Sequence, residues 1–292
     1  MIRRVEATQV MGEDEALALW RSDTMPVEVD PSIRVSGVDA VVIEVDGEPE
    51  IVVARYPADQ IPHLRRALLD YPCGAGVVRS AGIRTRSQVF GFLGHNPVLQ
   101  RNTCMVSTHA VHHPAEHATI CAAASTLADL LAEILPDRAL LGRAAVADVL
   151  PDWLLPGGLW TSGVVNRSSQ FPYHRDRNNF DAWSAMPVLR RGMRGGALHF
   201  PELTVDGRPL AVECADGDVL FFNGQRWMHG VTPMRPKPHT RDGYRISAVY
   251  YPVKAMARCL PAAEEYARAQ ARRTEVEDTL LDRQRADGIL TD

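Results

Sequence analysis

Two histidines and an aspartate in this chain are spaced so that they can hold one metal ion. In FPYHRDRNNF, His174 and Asp176 lie two residues apart, and in an extended segment alternate side chains point to the same face. Alone, a His-x-Asp pair more often marks an exposed turn with an ion pair. Downstream, GDVLFFNGQRWMHGVTPM reads as a strand ending near Asn223, a turn, and then His229. That is enough intervening chain for His229 to return on a neighbouring strand. Two histidines and one carboxylate form a facial triad for iron(II), leaving positions open for a bidentate co-substrate and dioxygen. In YRISAVYYPV, Arg245, Ser247, Val249 and Tyr251 share one strand face. A buried guanidinium beside a hydroxyl suits the far carboxylate of a dicarboxylic acid, which it grips through two charge-assisted hydrogen bonds. Taken singly, such an arginine more often pairs with an acid of its own barrel. The order His-x-Asp, Gly-Gly strand, Gly-Asp strand, His, Arg-x-Ser is what raises the chemical reading above the structural one.

These residues need elements that hold them on one inner face. From Pro151 to about Val253 the chain is a series of short β-rich runs broken by GG, DG, GD and Pro-rich turns, the pattern of an antiparallel barrel or jelly roll. Before it, DAVVIEVDGEPEIVVARY (39–56) predicts a hairpin, 59–71 a short helix and 117–135 a longer one. Residues 261–286 predict a last helix, charged on one side. The fold class is therefore α+β: an antiparallel barrel or jelly-roll core at about 151–253, with N-terminal α/β elements over 1–150. Residues 1–260 read as one domain and 261–292 as a helical tail.

With 292 residues and 46% apolar composition the chain can bury a large core. The 120–135 stretch is interrupted by Ser125, Thr126, Asp129 and Glu133, so no membrane span is expected. The N-terminus lacks an uninterrupted apolar stretch, and the default location is cytoplasmic. Five widely spaced cysteines with no Cys-x-x-Cys pair are expected to be reduced and mostly buried. Net charge is −4, which speaks against a generic polyanion binder. Its distribution is uneven: residues 71–115 hold Arg79, Arg84, Arg86 and Arg101 and no acid, and six arginines lie between Arg167 and Arg194. Together these stretches would form a positive surface. The alternative is codon bias, since thirty arginines stand against only two lysines. His109, His112, His113 and His117 read as a solvated helix start, because no cysteine or acid completes a zinc set. His199 and Trp227 read as structural residues, and Trp183 is open to packing or to stacking on a nucleotide.

The ligand pattern resembles the iron/2-oxoglutarate oxygenase superfamily, which implies a double-stranded β-helix (jelly-roll) core. Within the superfamily, HRDRNN (174–179), GGALHFPEL (195–203), GDVLFF (217–222) and RISAVYY (245–251) are similar to the TET/JBP family, which oxidises the 5-methyl group of pyrimidines in DNA. The resemblance covers mainly 160–253, with a weaker likeness in GIRTRSQVFGF (82–92). It implies iron(II) held by His174, Asp176 and His229, and 2-oxoglutarate held by Arg245 and Ser247, with Arg84 or Arg86 reaching the co-substrate from the N-terminal region. Dioxygen is the second co-substrate. It further implies that Asn179 hydrogen-bonds a flipped base and that Tyr251 stacks on it. The expected partner is DNA carrying a 5-methylated pyrimidine, with no membrane and no obligate protein partner. Two departures stand out. The cysteine-rich zinc-binding extension of the animal enzymes is absent, and Val253 stands where their base-contacting histidine would be, which leaves thymine as well as 5-methylcytosine as the target. Two rivals remain: the same chemistry on a free nucleobase, nucleotide or other small metabolite, and a non-catalytic binding module on the same fold.

Overall fold

The computed structural model describes residues 1–35, 37–74, 77–78, 84–96, 99 and 101–286. Two packed β-layers form its centre. The larger layer runs, in spatial order, through Ser87–Leu93, Ser162–Arg167, Tyr244–Tyr251, Ser184–Arg191, Asp218–Phe222, Glu48–Arg55, Ala40–Val45 and Ile2–Gln9. Its neighbours are antiparallel except Ile2–Gln9, which runs parallel to Ala40–Val45. The smaller layer centres on Leu198–Val205, flanked by Arg208–Val212 and by His229–Val231, which pairs in turn with Phe171–His174. Ile2–Gln9 joins the layers through the Thr8 and Thr204 register.

Strand alternation divides the core in two. In Asp218–Phe222, Leu220 and Phe222 point between the layers, where they meet Phe200, Leu198 and Val231 of the smaller one. Val219 and Phe221 point outward and are covered by helices, together with Ile246, Ala248 and Tyr250. The helix Pro114–Ile134 supplies that cover through Ile120, Ala123, Ala124, Leu127, Ala128 and Leu131, an apolar stripe at helical spacing. Each such large side chain contributes roughly 1.5–3 kcal/mol through burial. The Tyr250 hydroxyl donates to the Ile120 carbonyl at 2.7 Å, tying helix to sheet. Gly163 is required where Ser162–Arg167 crosses Phe90, since a Cβ there would lie 2.0 Å from the ring.

Several sequence expectations change in detail. The hairpin at 39–56 is present, turned by Asp46 and Gly47 with φ of 54° and 76°, the left-handed pair that a tight hairpin requires. Its strands are not peripheral to the core. Ile51, Val52, Val53 and Ala54 are all buried, because Glu48–Arg55 sits mid-sheet with helices on one face and the second layer on the other. The β-core is therefore not confined to 151–253. The long helix expected at 117–135 is followed by a second, Pro136–Ala145, which begins where Pro136 interrupts it.

The expectation that all cysteines are free thiols is corrected: Cys104 and Cys259 form a disulfide across a sequence separation of 155. Nothing in their spacing announces the pair; the fold brings them together beside the C-terminal helix Ala262–Ala286. Cys73, Cys121 and Cys214 are free. Among the described residues, no helix is long and apolar enough to cross a membrane.

Candidate active site

His174 ends one strand of the smaller layer and His229 begins its neighbour, and the two are directly registered. Asp176 follows two residues after His174, its backbone N–H donating to the Gly224 carbonyl at 2.8 Å. Asp176 Oδ1 lies 3.9 Å from His174 Nε2, and Oδ2 lies 3.9 Å from His229 Nε2. All three ligand atoms fall within 4.8 Å of one another. The backbone sets the tautomers. His174 Nδ1 is 2.8 Å from the Pro172 carbonyl and His229 Nδ1 is 3.0 Å from that of Trp227. Each Nδ1 therefore carries the proton and each Nε2 turns its lone pair to the shared point, the orientation a metal-binding histidine needs. Burial, and next the neighbouring His174, pull the His229 imidazole down to about 4, favouring the neutral form that binds metal. Gly224 completes the cradle: a Cβ there would stand 2.6 Å from Asp176 Oδ2 and 3.2 Å from His229 Cε1.

Arg175, between the two ligands, points the other way. Its guanidinium binds Glu202 and Glu13, each at 2.6 Å. Glu202 is buried and also accepts the Met228 N–H at 2.5 Å. This arginine thereby couples the strand carrying His174 to the segment entering His229. Trp227, buried as expected, donates to Glu50 at 2.9 Å and fixes the other side of that segment.

Arg245 is 3% exposed, and the buried site pulls its guanidinium down to about 10. Its Nη1 meets Ser247 Oγ at 3.4 Å, while its Nε has no partner. No carboxylate among the described residues lies within 4.0 Å of it. A buried guanidinium without a counter-charge is costly, so its free donors fit an anionic ligand. Gly196 permits the approach: its φ is +72° and a Cβ would be 2.8 Å from Arg245 Cδ.

Triad and arginine line one cavity of about 140 Å³. Asn179 and Tyr251 line it too, as do the apolar side chains of Val164, Phe222 and Val249. Seven of the side chains named for the site by sequence thus converge, whereas Arg86 is exposed and is not part of the lining. The side chain of Arg84 lies outside the described residues. Asn166 also lines the cavity and was not foreseen; its Oδ1 accepts from Ser87 Oγ at 2.6 Å, which turns its amide N–H groups away from Ser87. Val253 is not part of the lining. It packs against the cluster of Trp153, Met256 and Cys259 instead.

Neither a family model nor a curated protein matches the sequence. Among solved structures, NgTET1 in complex with 5mC DNA superposes with a TM-score of 0.54 at 14% identity, covering 85% of this chain and 94% of that one. The chain shares the fold of NgTET1. At 14% identity the likeness is one of fold. An oxidoreductase of the 2OG-Fe(II) oxygenase family from Burkholderia pseudomallei aligns at a TM-score of 0.44 and 14% identity, over 86% of this chain and 95% of that one. OsALKBH1 aligns at 0.38 and 17%, over 70% and 98%.

Of the six arginines from Arg167 to Arg194, three are engaged internally and so do not contribute to the expected positive surface. Arg167 donates to the carbonyls of Leu68 and Leu69 at 3.2 and 2.5 Å. Arg190 spends its donors on Glu213 and on the carbonyls of Cys214, Met193 and Gly195, at 2.7 to 3.1 Å. With Arg175 these arginines act as internal fasteners, since a fork with five donors can close several loop carbonyls at once. Arg177, Arg191 and Arg194 remain exposed, with Arg177 also lying 4.2 Å over the Trp20 ring. Arg79 lies outside the described residues. Trp183 packs in the helix-side core, which settles it as a structural residue. His117 accepts the Gly91 N–H at 3.0 Å, and no metal grouping among the described residues includes the 109–117 histidines.

Proposed function

We propose that the chain is an iron(II)- and 2-oxoglutarate-dependent oxygenase that hydroxylates the 5-methyl group of a pyrimidine base in DNA, with residues 1–260 as the catalytic unit and 261–292 as a helical tail. The observation that carries the chemistry is the cavity itself, where three neutral or anionic metal ligands converge beside a buried arginine that lacks an anion. When bound, the metal and its co-substrate supply dioxygen activation for C–H hydroxylation. The chain's own residues do the rest. His174, Asp176 and His229 hold the ion, while Arg245 and Ser247 take the distal carboxylate of 2-oxoglutarate. The apolar walls of the cavity keep water from the reacting carbon.

For the substrate, Asn179 offers an amide for edge hydrogen bonding and Tyr251 a ring for stacking, the two groups a flipped base needs. Exposed Arg177 and Lys254 sit beside them in the chain, with Lys254 N–H donating to the Asn178 carbonyl at 2.9 Å, and can meet flanking phosphates. The fold shared with NgTET1, solved on 5mC DNA, supports the same reading. Internal engagement of Arg167, Arg175 and Arg190 favours a second reading, the same chemistry on a free nucleobase or nucleotide, because it removes expected phosphate contacts. Nucleoside mass spectrometry of methylated duplex incubated with protein, iron(II) and 2-oxoglutarate separates the two, with free methylated nucleosides as competitors. A 5-hydroxymethyl product from duplex, resistant to competition, is expected. Efficient conversion of the free nucleoside with none from DNA would transfer the assignment to the small substrate, and iron-independent behaviour in both would remove the oxygenase reading.

A further inference from the structure

A second group of metal-binding side chains gathers at the base of the C-terminal helix, on segments that carry none of the triad. Ligand atoms of His95, Cys104 and Glu265 lie within 4.8 Å of one another. Cys259 joins them through its bond to Cys104, the two Cα atoms being 5.7 Å apart. Cys104, Cys259 and Glu265 are all buried, Glu265 completely. The Glu265 carboxylate is 3.2 Å from His95 Nε2, accepts the N–H groups of Leu260 and Cys104 at 3.0 and 3.2 Å, and has Arg268 Nη1 at 3.5 Å. A disulfide needs neither a buried carboxylate nor an imidazole at its side. Two sulfurs, one imidazole nitrogen and one carboxylate oxygen are, however, a complete tetrahedral donor set for a zinc-type ion.

We propose that reduction of Cys104–Cys259 opens a structural metal site in which both thiolates, His95 Nε2 and the Glu265 carboxylate clamp the C-terminal helix to the core. The reductant is a dithiol: two electrons and two protons pass to the paired sulfurs, the S–S bond breaks, and the dithiol closes to its own disulfide. A divalent ion then displaces the two thiol protons and forms two metal–sulfur bonds. The sulfurs must part to roughly 3.8 Å for two metal–sulfur bonds of about 2.3 Å at a tetrahedral angle, which rotation about the cysteine side chains can supply. His95 and Glu265 exchange their mutual hydrogen bond for the ion. Arg268 offsets the single negative charge that two thiolates and a carboxylate leave on a dication.

Cobalt(II) is the probe, because thiolate ligation gives a near-ultraviolet charge-transfer absorption that a triad of two imidazoles and a carboxylate cannot give. The full chain, reduced with a dithiol and then freed of it under anaerobic conditions, is expected to develop that absorption as cobalt is raised to two equivalents, one for the triad and one for the thiolate site. Oxidised protein and the Cys104→Ser/Cys259→Ser double variant should lack it. Should the double variant fail to fold, His95→Ala decides: both thiols remain, and cobalt affinity at the thiolate site should fall at least about tenfold, the lower end of what loss of a merely supporting partner costs. No thiolate absorption in the reduced chain would mean that the cysteines serve as a disulfide only, and unchanged affinity in His95→Ala would overturn the four-ligand site by removing His95 from it. The oxygenase reading stands or falls separately, since none of these residues lines the catalytic cavity.

Discussion

Replacing Gly224 with alanine places a methyl group against the metal-binding carboxylate, and its effect can be worked from distances. The new Cβ would stand 2.6 Å from Asp176 Oδ2, where contacts under 3.0 Å are essentially never seen and ordinary ones begin at 3.4 Å. The carboxylate must therefore retreat by about 0.4–0.8 Å, against a tolerance of about 0.2 Å in metal–ligand distance. Asp176 can rotate to relieve the clash, but only by leaving the point it shares with His174 and His229. Metal affinity should fall by about 10–100-fold or more, corresponding to roughly 1.4–2.8 kcal/mol. The metal-free protein should be nearly unaffected, because Gly224 is outside the left-handed region and alanine restricts the unfolded chain, a gain of about 0.4–1 kcal/mol. Calorimetric titration of manganese(II) into wild type and Gly224→Ala, alongside thermal melts of both metal-free proteins, separates the two effects. Equal affinity with an intact fold would refute the reasoning and show that the metal does not use Asp176 in this position.

Arg245→Lys should raise the KM for 2-oxoglutarate by at least about tenfold while moving that for the prime substrate little, since the charge stays and the two-pronged donor is lost; an unchanged co-substrate KM would assign the carboxylate to another residue. His199 gives a pH signature in the metal-free protein. Burial pulls its imidazole from 6.5 down to about 4, so the unfolded chain binds more protons between those values, and its contribution of about 3 kcal/mol is present above pH 6.5 and lost as pH falls toward 4. In His199→Gln, which keeps an acceptor for the Tyr173 hydroxyl, denaturant titrations from pH 4 to 7 should show a shallower slope, and the same slope as wild type would contradict the assignment. Gly163→Ala should destabilise the fold by about 1–3 kcal/mol through collision with Phe90, measured as a shifted denaturant midpoint; an unshifted midpoint would mean that the ring has room to move.

What could be read from the sequence follows from the range of each interaction. Arg245 and Ser247 are legible because two-residue periodicity within a strand fixes a shared face, and His174 and Asp176 because the same spacing serves them where the chain leaves its strand at His174. The order of turns and strands adds His229. Arg175 reads in sequence as one more exposed cation for a physical reason: its partners Glu13 and Glu202 are distant in the chain. The same holds for Arg190 and Glu213, and for the Cys104–Cys259 pair, which only the closed fold makes adjacent. Gly224 carries a faint local signal, a glycine in the turn between a strand and a predicted ligand, but its close approach to Asp176 depends on how that turn lies over a different strand. Asn166 has no signal at all without the register that sets it opposite Ser247 and beside Ser87.

The hairpin at the start of the chain has a consequence for how the protein is made. Beyond its hairpin partner Ala40–Val45, Glu48–Arg55 pairs with Asp218–Phe222, Val53 registered to Leu220, and Ile2–Gln9 reaches the second layer through Leu198–Val205. On the ribosome, the most apolar early strand must therefore emerge and wait while most of the catalytic core is still being synthesised. Such long-range pairing is slow to form, and an unpaired apolar edge invites association with other chains. Nascent chains stalled before residue 218 should bind holding chaperones through the 40–55 segment and release them once the sheet closes, so that solubility is decided late in translation by a strand that appeared near its beginning.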